Sequence, residues 1–139
     1  MKTGDTDKEK LVQNLLSTSH ALRLASLNHL LTMDPTSHII KIMLSIESSP
    51  CTLEYETKKI NNISRLESHI HTCDDLPLFT NFLLGQFWVR LTTIHKPIIQ
   101  LLQQIKDYDL TPSINQFIQL SLDGPNNPRL KDIYQKDTQ

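Results

Sequence analysis

The residues between His69 and Asp75 are the first that invite a chemical reading. His69, His71 and Cys73 alternate as H-x-H-x-C, and Asp74 and Asp75 follow directly. Imidazole, thiolate and carboxylate are the donors of a zinc site. The spacing opposes one, because ligands sharing a helix face stand three or four residues apart and no second ligand pair occurs elsewhere. A polar loop at a helix end accounts for the same letters. His71 and Cys73 would also pair a base with a nucleophile, but no motif places an Asn or Asp to orient the histidine.

The remaining candidates are weaker. His20, His29 and His38 recur at a spacing that carries them around a helix and across the break at Pro35, so they read as unrelated. Glu47, Glu54, Glu56 and Glu67 read as a solvated surface, since acid–base work needs a cleft that nothing here reveals. Arg90, His95 and Lys96 form one local basic cluster beside Trp88, a combination that suits base stacking and phosphate contact. A formal net charge of -1 argues against nucleic acid as the main partner. Trp88 therefore reads as core, with the charges reaching solvent at a helix end. No catalytic residue, cofactor or metal ligand is expected.

Composition narrows the classes further. Hydrophobic residues at 38% and charged residues at 21% describe a globular chain, and 139 residues suit one domain. Three glycines make a glycine-rich phosphate loop or a set of tight hairpins unlikely components of the fold. No apolar run approaches the ~20 residues of a membrane span. Met1 to Lys10 is polar and charged, which reads as no secretory signal. Cys51 and Cys73, without paired spacing, fit a reducing compartment, where the Asn62-Ile63-Ser64 sequon has no glycosylation meaning.

The elements that would position any site are helical. Leu11, Val12, Leu15 and Leu16 mark a first helix, and Ser17-Thr18-Ser19 supplies capping chemistry for a second, about His20 to Met33. There Leu24, Leu27 and Leu31 make the buried stripe, Ala21 and Ala25 fill beside them, and Arg23, Ser26 and His29 ride on another face. Asp34-Pro35 stops that helix and starts the next, with Asp34 as cap and Pro35 in the first turn. Ile39 to Ile46 reads as a short buried helix, its β-branched content leaving a strand as the competitor. A fourth helix, capped by Ser49 or Thr52, buries Leu53, Ile60, Ile63, Leu66 and Ile70. Glu54, Glu56, Lys58, Lys59 and Arg65 form its solvated face.

Asp74 to Asp107 is the stretch around which the chain is organised. Asp75 and Pro77 start a helix whose apolar residues run from Leu78 through Ile94, too many for one stripe, so neighbours wrap it on several sides. Gly85 sits in its middle at a cost of roughly 1 kcal/mol, which close approach of another backbone would offset. After Pro97, Ile98, Leu101, Leu102, Ile105 and Tyr108 form a narrow stripe on a half-exposed partner. Thr111-Pro112 opens a last helix that ends before Pro128. The expected architecture is all-α: about seven helices in antiparallel pairs of the HEAT or armadillo α-solenoid type, over residues 1–128. A polar tail follows at 129–139.

Two stretches carry a family resemblance. One holds A-L-R-L-A-S-L-N-H-L-L from Ala21, I-E-S-S-P-C-T-L-E-Y-E from Ile46 and I-S-R-L-E from Ile63; the other is L-L-G-Q-F-W-V-R-L-T-T-I-H-K-P-I-I-Q-L-L from Leu83. They resemble the DRIM (down-regulated in metastasis) family, very large HEAT-repeat solenoids of the nucleolar small-subunit processome. Gly85, Val89 and Pro97 fall on that family's L-G-x-x-x-V-x-F-S-x-x-W-x-P pattern, whereas Leu91, Thr92 and His95 replace its Phe, Ser and Trp. The resemblance covers about two-thirds of the chain. It implies a non-enzymatic scaffold segment in ribosome biogenesis, one slice of a longer solenoid, acting in the nucleolus or nucleus. Its implied partners are proteins of a pre-ribosomal assembly, with RNA contact indirect or weak, and no membrane or small-molecule substrate. The alternative is a small helical-bundle adaptor that binds an amphipathic partner helix in a groove.

Overall fold

The computed structural model describes residues 3–50, 52–70, 72, 75–88 and 92–105. Over these residues the fold is all-α, with helices α1 (Thr3–Asn14), α2 (His20–Met33), α3 (His38–Ser48), α4 (Leu53–Glu67), α5 (Leu76–Gly85) and α6 (His95–Gln104). Short 3-10 turns at Gln86–Trp88 and Thr92–Ile94 lie between α5 and α6. No strand occurs among the described residues, so the helical reading of Ile39 to Ile46 holds against its competitor. The expected seventh helix at Thr111 to Leu122, the tail at 129–139, and Val89 to Leu91 lie outside the described residues. None of the described helices is long and apolar enough to cross a membrane.

Capping residues account for several boundaries. Ser19 accepts the Leu22 amide at the start of α2, and Asp75 accepts the Leu78 amide at the start of α5, where Pro77 needs no bond for its missing N–H. The start of α3 differs from expectation. Ser37, not Asp34, is the cap and accepts the Ile40 amide at 3.2 Å, whereas Asp34 ends α2 with its own amide bonded to Leu30. Nor does α6 wait for Pro97. It begins at His95 and holds Pro97 inside its first turn, where amides lack helical partners and a proline removes nothing.

Consecutive helices pack against each other from α1 to α4; α6 packs on α4 and α5, and α5 returns to α1. One core fills the space between them. Phe79, Phe82, Leu83, Leu84 and Phe87 from the central segment are all at most 2% exposed, and they meet Leu15, Leu27, Met43, Ile46, Ile63 and Leu66. Everything from Leu78 to Phe87 is buried. That continuous burial is what an apolar surface on all sides requires.

The central helix is nevertheless shorter than its apolar pattern suggests, since α5 ends at Gly85 instead of carrying it mid-helix. The Gln86 amide is shared between the Phe82 and Leu83 carbonyls, and the backbone tightens into the 3-10 turn. Gly85 does have the expected close neighbour: a Cβ there would lie 1.9 Å from the Leu15 carbonyl oxygen and 3.3 Å from Arg23 Cδ. The oxygen belongs to backbone, so a methyl group cannot be accommodated by rotating a side chain. Helix propensity alone would make Gly85→Ala stabilising by up to about 1 kcal/mol. Overpacking dominates instead, and thermal or urea unfolding of Gly85→Ala is expected to show a loss of about 1–3 kcal/mol. An unchanged or raised midpoint would refute the contact.

Candidate functional site

The chemistry-bearing groups that the fold brings together are Arg23 and His20 from α2, Glu47 from the end of α3, and Gln86 from the turn after α5. Arg23 donates from Nε to Glu47 Oε1 at 2.8 Å and from Nη2 to Oε2 at 3.4 Å. Gln86 donates from Nε2 to Oε1 at 3.0 Å, and His20 Nδ1 lies 2.7 Å from Oε2. A carboxylate only accepts, so His20 carries its proton on Nδ1. The fifth contact runs outward from the cluster, from Arg23 Nη1 to the Ser17 carbonyl at 2.7 Å. Glu47 is 2% exposed and Arg23 3%, while the His20 side chain is 56% exposed and covers the edge.

Burial alone would raise the Glu47 pKa, but hydrogen bonds and charge from Arg23, aided by His20 and Gln86, hold it below the ordinary carboxylate value. Both oxygens are occupied by donors, and the group has almost no exposed surface. Such a carboxylate is poorly placed to take a proton from a substrate and well placed to hold three chain segments in register. The Gln86 amide orientation follows from this, because turning it would aim an oxygen at Glu47. Its own Oε1 is left buried without a hydrogen-bond partner.

A second set of contacts surrounds the end of α1. The Val12 carbonyl accepts from Asn81 Nδ2 at 3.1 Å, and the Leu16 carbonyl from Trp88 Nε1 at 2.9 Å. Together with Arg23 on Ser17, these side chains tie the end of α1 and the turn after it to the neighbouring segments; the Val12 carbonyl also accepts the Leu15 amide at 3.2 Å. Lys59 does the same for α3: it is fully buried, and its Nζ donates to the Ile46 carbonyl at 2.6 Å.

Several expectations need correction. Glu47 is not part of a solvated surface, because Arg23 and Gln86 neutralise and bond it inside the core. His20, His29 and His38 do not come together, as expected, but His20 is the outer member of the Glu47 cluster. Arg23 and Ser26 do not ride on an outer face. They share the buried face of α2 with Leu27 and Leu30, while Ala21 and Ala25 are exposed. Lys59 belongs to the buried face of α4, one turn before Ile63, whereas Leu53, the first residue of α4, is 80% exposed because the packing face begins beyond it. Glu54 and Glu67 are exposed as expected, and Glu67 accepts from Gln104 at 2.8 Å.

The metal and nucleic-acid candidates fall only partly within the described residues. His69 is half-buried and Asp75 caps α5 while pairing with Lys8 at 2.8 Å; His71, Cys73, Asp74 and Cys51 lie outside the described residues. Among the described residues no group of three potential ligands converges. Of the basic cluster, His95 is buried with its ring edge-on to Phe87 at 5.5 Å, Lys96 is exposed, Trp88 is half-buried and Arg90 is outside the described residues. No family model, curated protein or solved structure matches the chain.

The lowered pKa of Glu47 fixes the sign of a pH effect. Stability contributed by the ionised group is fully present above about pH 4.5 and is lost as pH falls through the lower folded value. Glu47→Gln leaves Arg23 buried without its counter-charge, and unfolding at neutral pH is expected to show a loss of about 3–5 kcal/mol. The difference between the two proteins should shrink as pH falls below about 4.5 and through the lower folded value. A difference that is small at pH 7, or that persists undiminished in acid, would contradict the assignment.

Proposed function

We propose that the chain is a non-enzymatic helical scaffold segment that acts in ribosome biogenesis, in small-subunit pre-ribosomal RNA processing. It would be of the α-solenoid kind that the DRIM resemblance implies, holding protein partners of a nucleolar assembly through its helix surfaces. The carrying observation is where the resembling residues sit. Glu47 from the I-E-S-S-P stretch, Arg23 near the start of α2, and Gly85 and Gln86 from the second stretch all meet at one helix junction. Polar groups used in this way support a packing role for the motif. With a net charge of -1, any contact with RNA is indirect or weak.

A second reading, the small helical-bundle adaptor, is favoured by the packing of α5 back onto α1, which makes the described helices close on one another. The two differ in what the chain accompanies in the cell. Tagged at its natural level and run through a sucrose gradient, the scaffold is expected to travel with precursor ribosomal RNA in small-subunit precursor fractions. Recovery only in slow-sedimenting fractions free of that RNA would overturn the ribosomal reading and leave the adaptor.

A further inference from the structure

The far ends of α2 and α3 enclose a cavity of about 220 Å³ that the polar cluster does not touch. Its apolar wall includes Leu30, Met33, Ile40 and Leu78, and its rim carries Lys8, Asp34 and Asp75. The volume exceeds the roughly 150 Å³ that accommodates benzene, so one aliphatic or aromatic side chain fits. Met33 is 43% exposed, with Leu22 and Leu53 one of the exposed large apolar side chains among the described residues, and its flexible thioether suits a surface that adapts to a partner. The rim is not balanced. Lys8 pairs with Asp75 at 2.8 Å, whereas the exposed Asp34 carboxylate accepts from the Thr36 hydroxyl at 3.5 Å, with no cation in ion-pair range among the described residues.

The geometry points to a docking site for a protein partner that presents a bulky apolar residue flanked by lysine or arginine. The apolar residue enters the cavity over Met33, and the cation meets Asp34. An RNA phosphate is disfavoured by the same carboxylate. This inference rests on the reading of the chain as a holder of protein partners, and it names where one is held. Both helix N-termini facing the cavity are already served by their own caps, Ser37 for α3 and Asp75 for α5, which removes the ordinary reason for an anion to bind there.

The test uses the full chain labelled at its methionine methyl groups and a short amidated helical peptide with a central Phe between lysines. A twin peptide carries glutamates in place of the lysines. The lysine peptide is expected to shift the Met33 methyl signal while that of Met43, fully buried in the core, stays in place. Asp34→Lys should weaken that peptide about three- to fivefold and favour its acidic twin. Met33→Lys should weaken it at least about tenfold. Equal binding of the two peptides, no shift at Met33, a shift produced by an RNA oligonucleotide instead, or a concentration-dependent shift without peptide (a second copy as occupant) would each overturn the proposal. The wild-type titration stands alone if Met33→Lys fails to fold. Because the gradient experiment uses no peptide, loss of the groove and loss of the ribosomal reading are separately visible.

Discussion

A carboxylate buried under a guanidinium is the constraint on which this fold depends. Glu47 is placed at the end of α3, where the helix dipole disfavours a negative charge, and its environment supplies the compensation. Arg23 provides the counter-charge from α2, while Gln86 and His20 fill the remaining acceptor positions. A buried ion pair need not add stability over an apolar pair of the same shape. Its effect is geometric: four hydrogen bonds converge on one group, and α2, α3 and the turn after α5 can satisfy them in one arrangement only if all three are in place.

The second constraint is the end of α1, which runs into the same junction. The Val12 carbonyl near its end and the Leu16 and Ser17 carbonyls just beyond it are taken by Asn81, Trp88 and Arg23, and Gly85 leaves the room in which the Leu15 carbonyl sits. Arg23 thus belongs to both arrangements, bonded to Glu47 on one side and Ser17 on the other. Gly85, Gln86 and Trp88 lie within four consecutive residues of sequence and serve α1 and α3 at once. This explains why a strongly apolar helix stops where it does: the continuation as a 3-10 turn brings the Gln86 and Trp88 side chains to their acceptors.

Apolar periodicity made most helices readable, including the burial of Leu78 to Phe87, the stripe of α6 and the backbone approach at Gly85. It failed where a charged residue occupies a buried position. Lys59 precedes Ile63 by four and Leu66 by seven residues, so it lies on the apolar face, but a lysine at that position is naturally assigned to solvent. Arg23 has the same spacing to Leu27 and Leu30, and counting only leucines rotated the buried face of α2. Glu47 follows Met43 by four and Ile40 by seven residues, so it too lies in phase with the apolar face. Its partners are 24 and 39 residues away, and such long-range pairing leaves no local pattern. Leu53 misled in the opposite direction, because a helix can begin before its packing face does. A charged residue in phase with an apolar stripe was the available signal.

Among the described residues, the buried charged groups Glu47, Arg23 and Lys59 fix helices to one another. A double-mutant cycle on Arg23→Ala and Glu47→Ala, read by urea unfolding at neutral pH, tests the junction most directly. The account predicts strong coupling: the double variant should lose less than the two single losses combined, by about 2 kcal/mol or more. Additive losses would mean that the two side chains do not depend on each other, and the junction described here would not be what holds the helices in place.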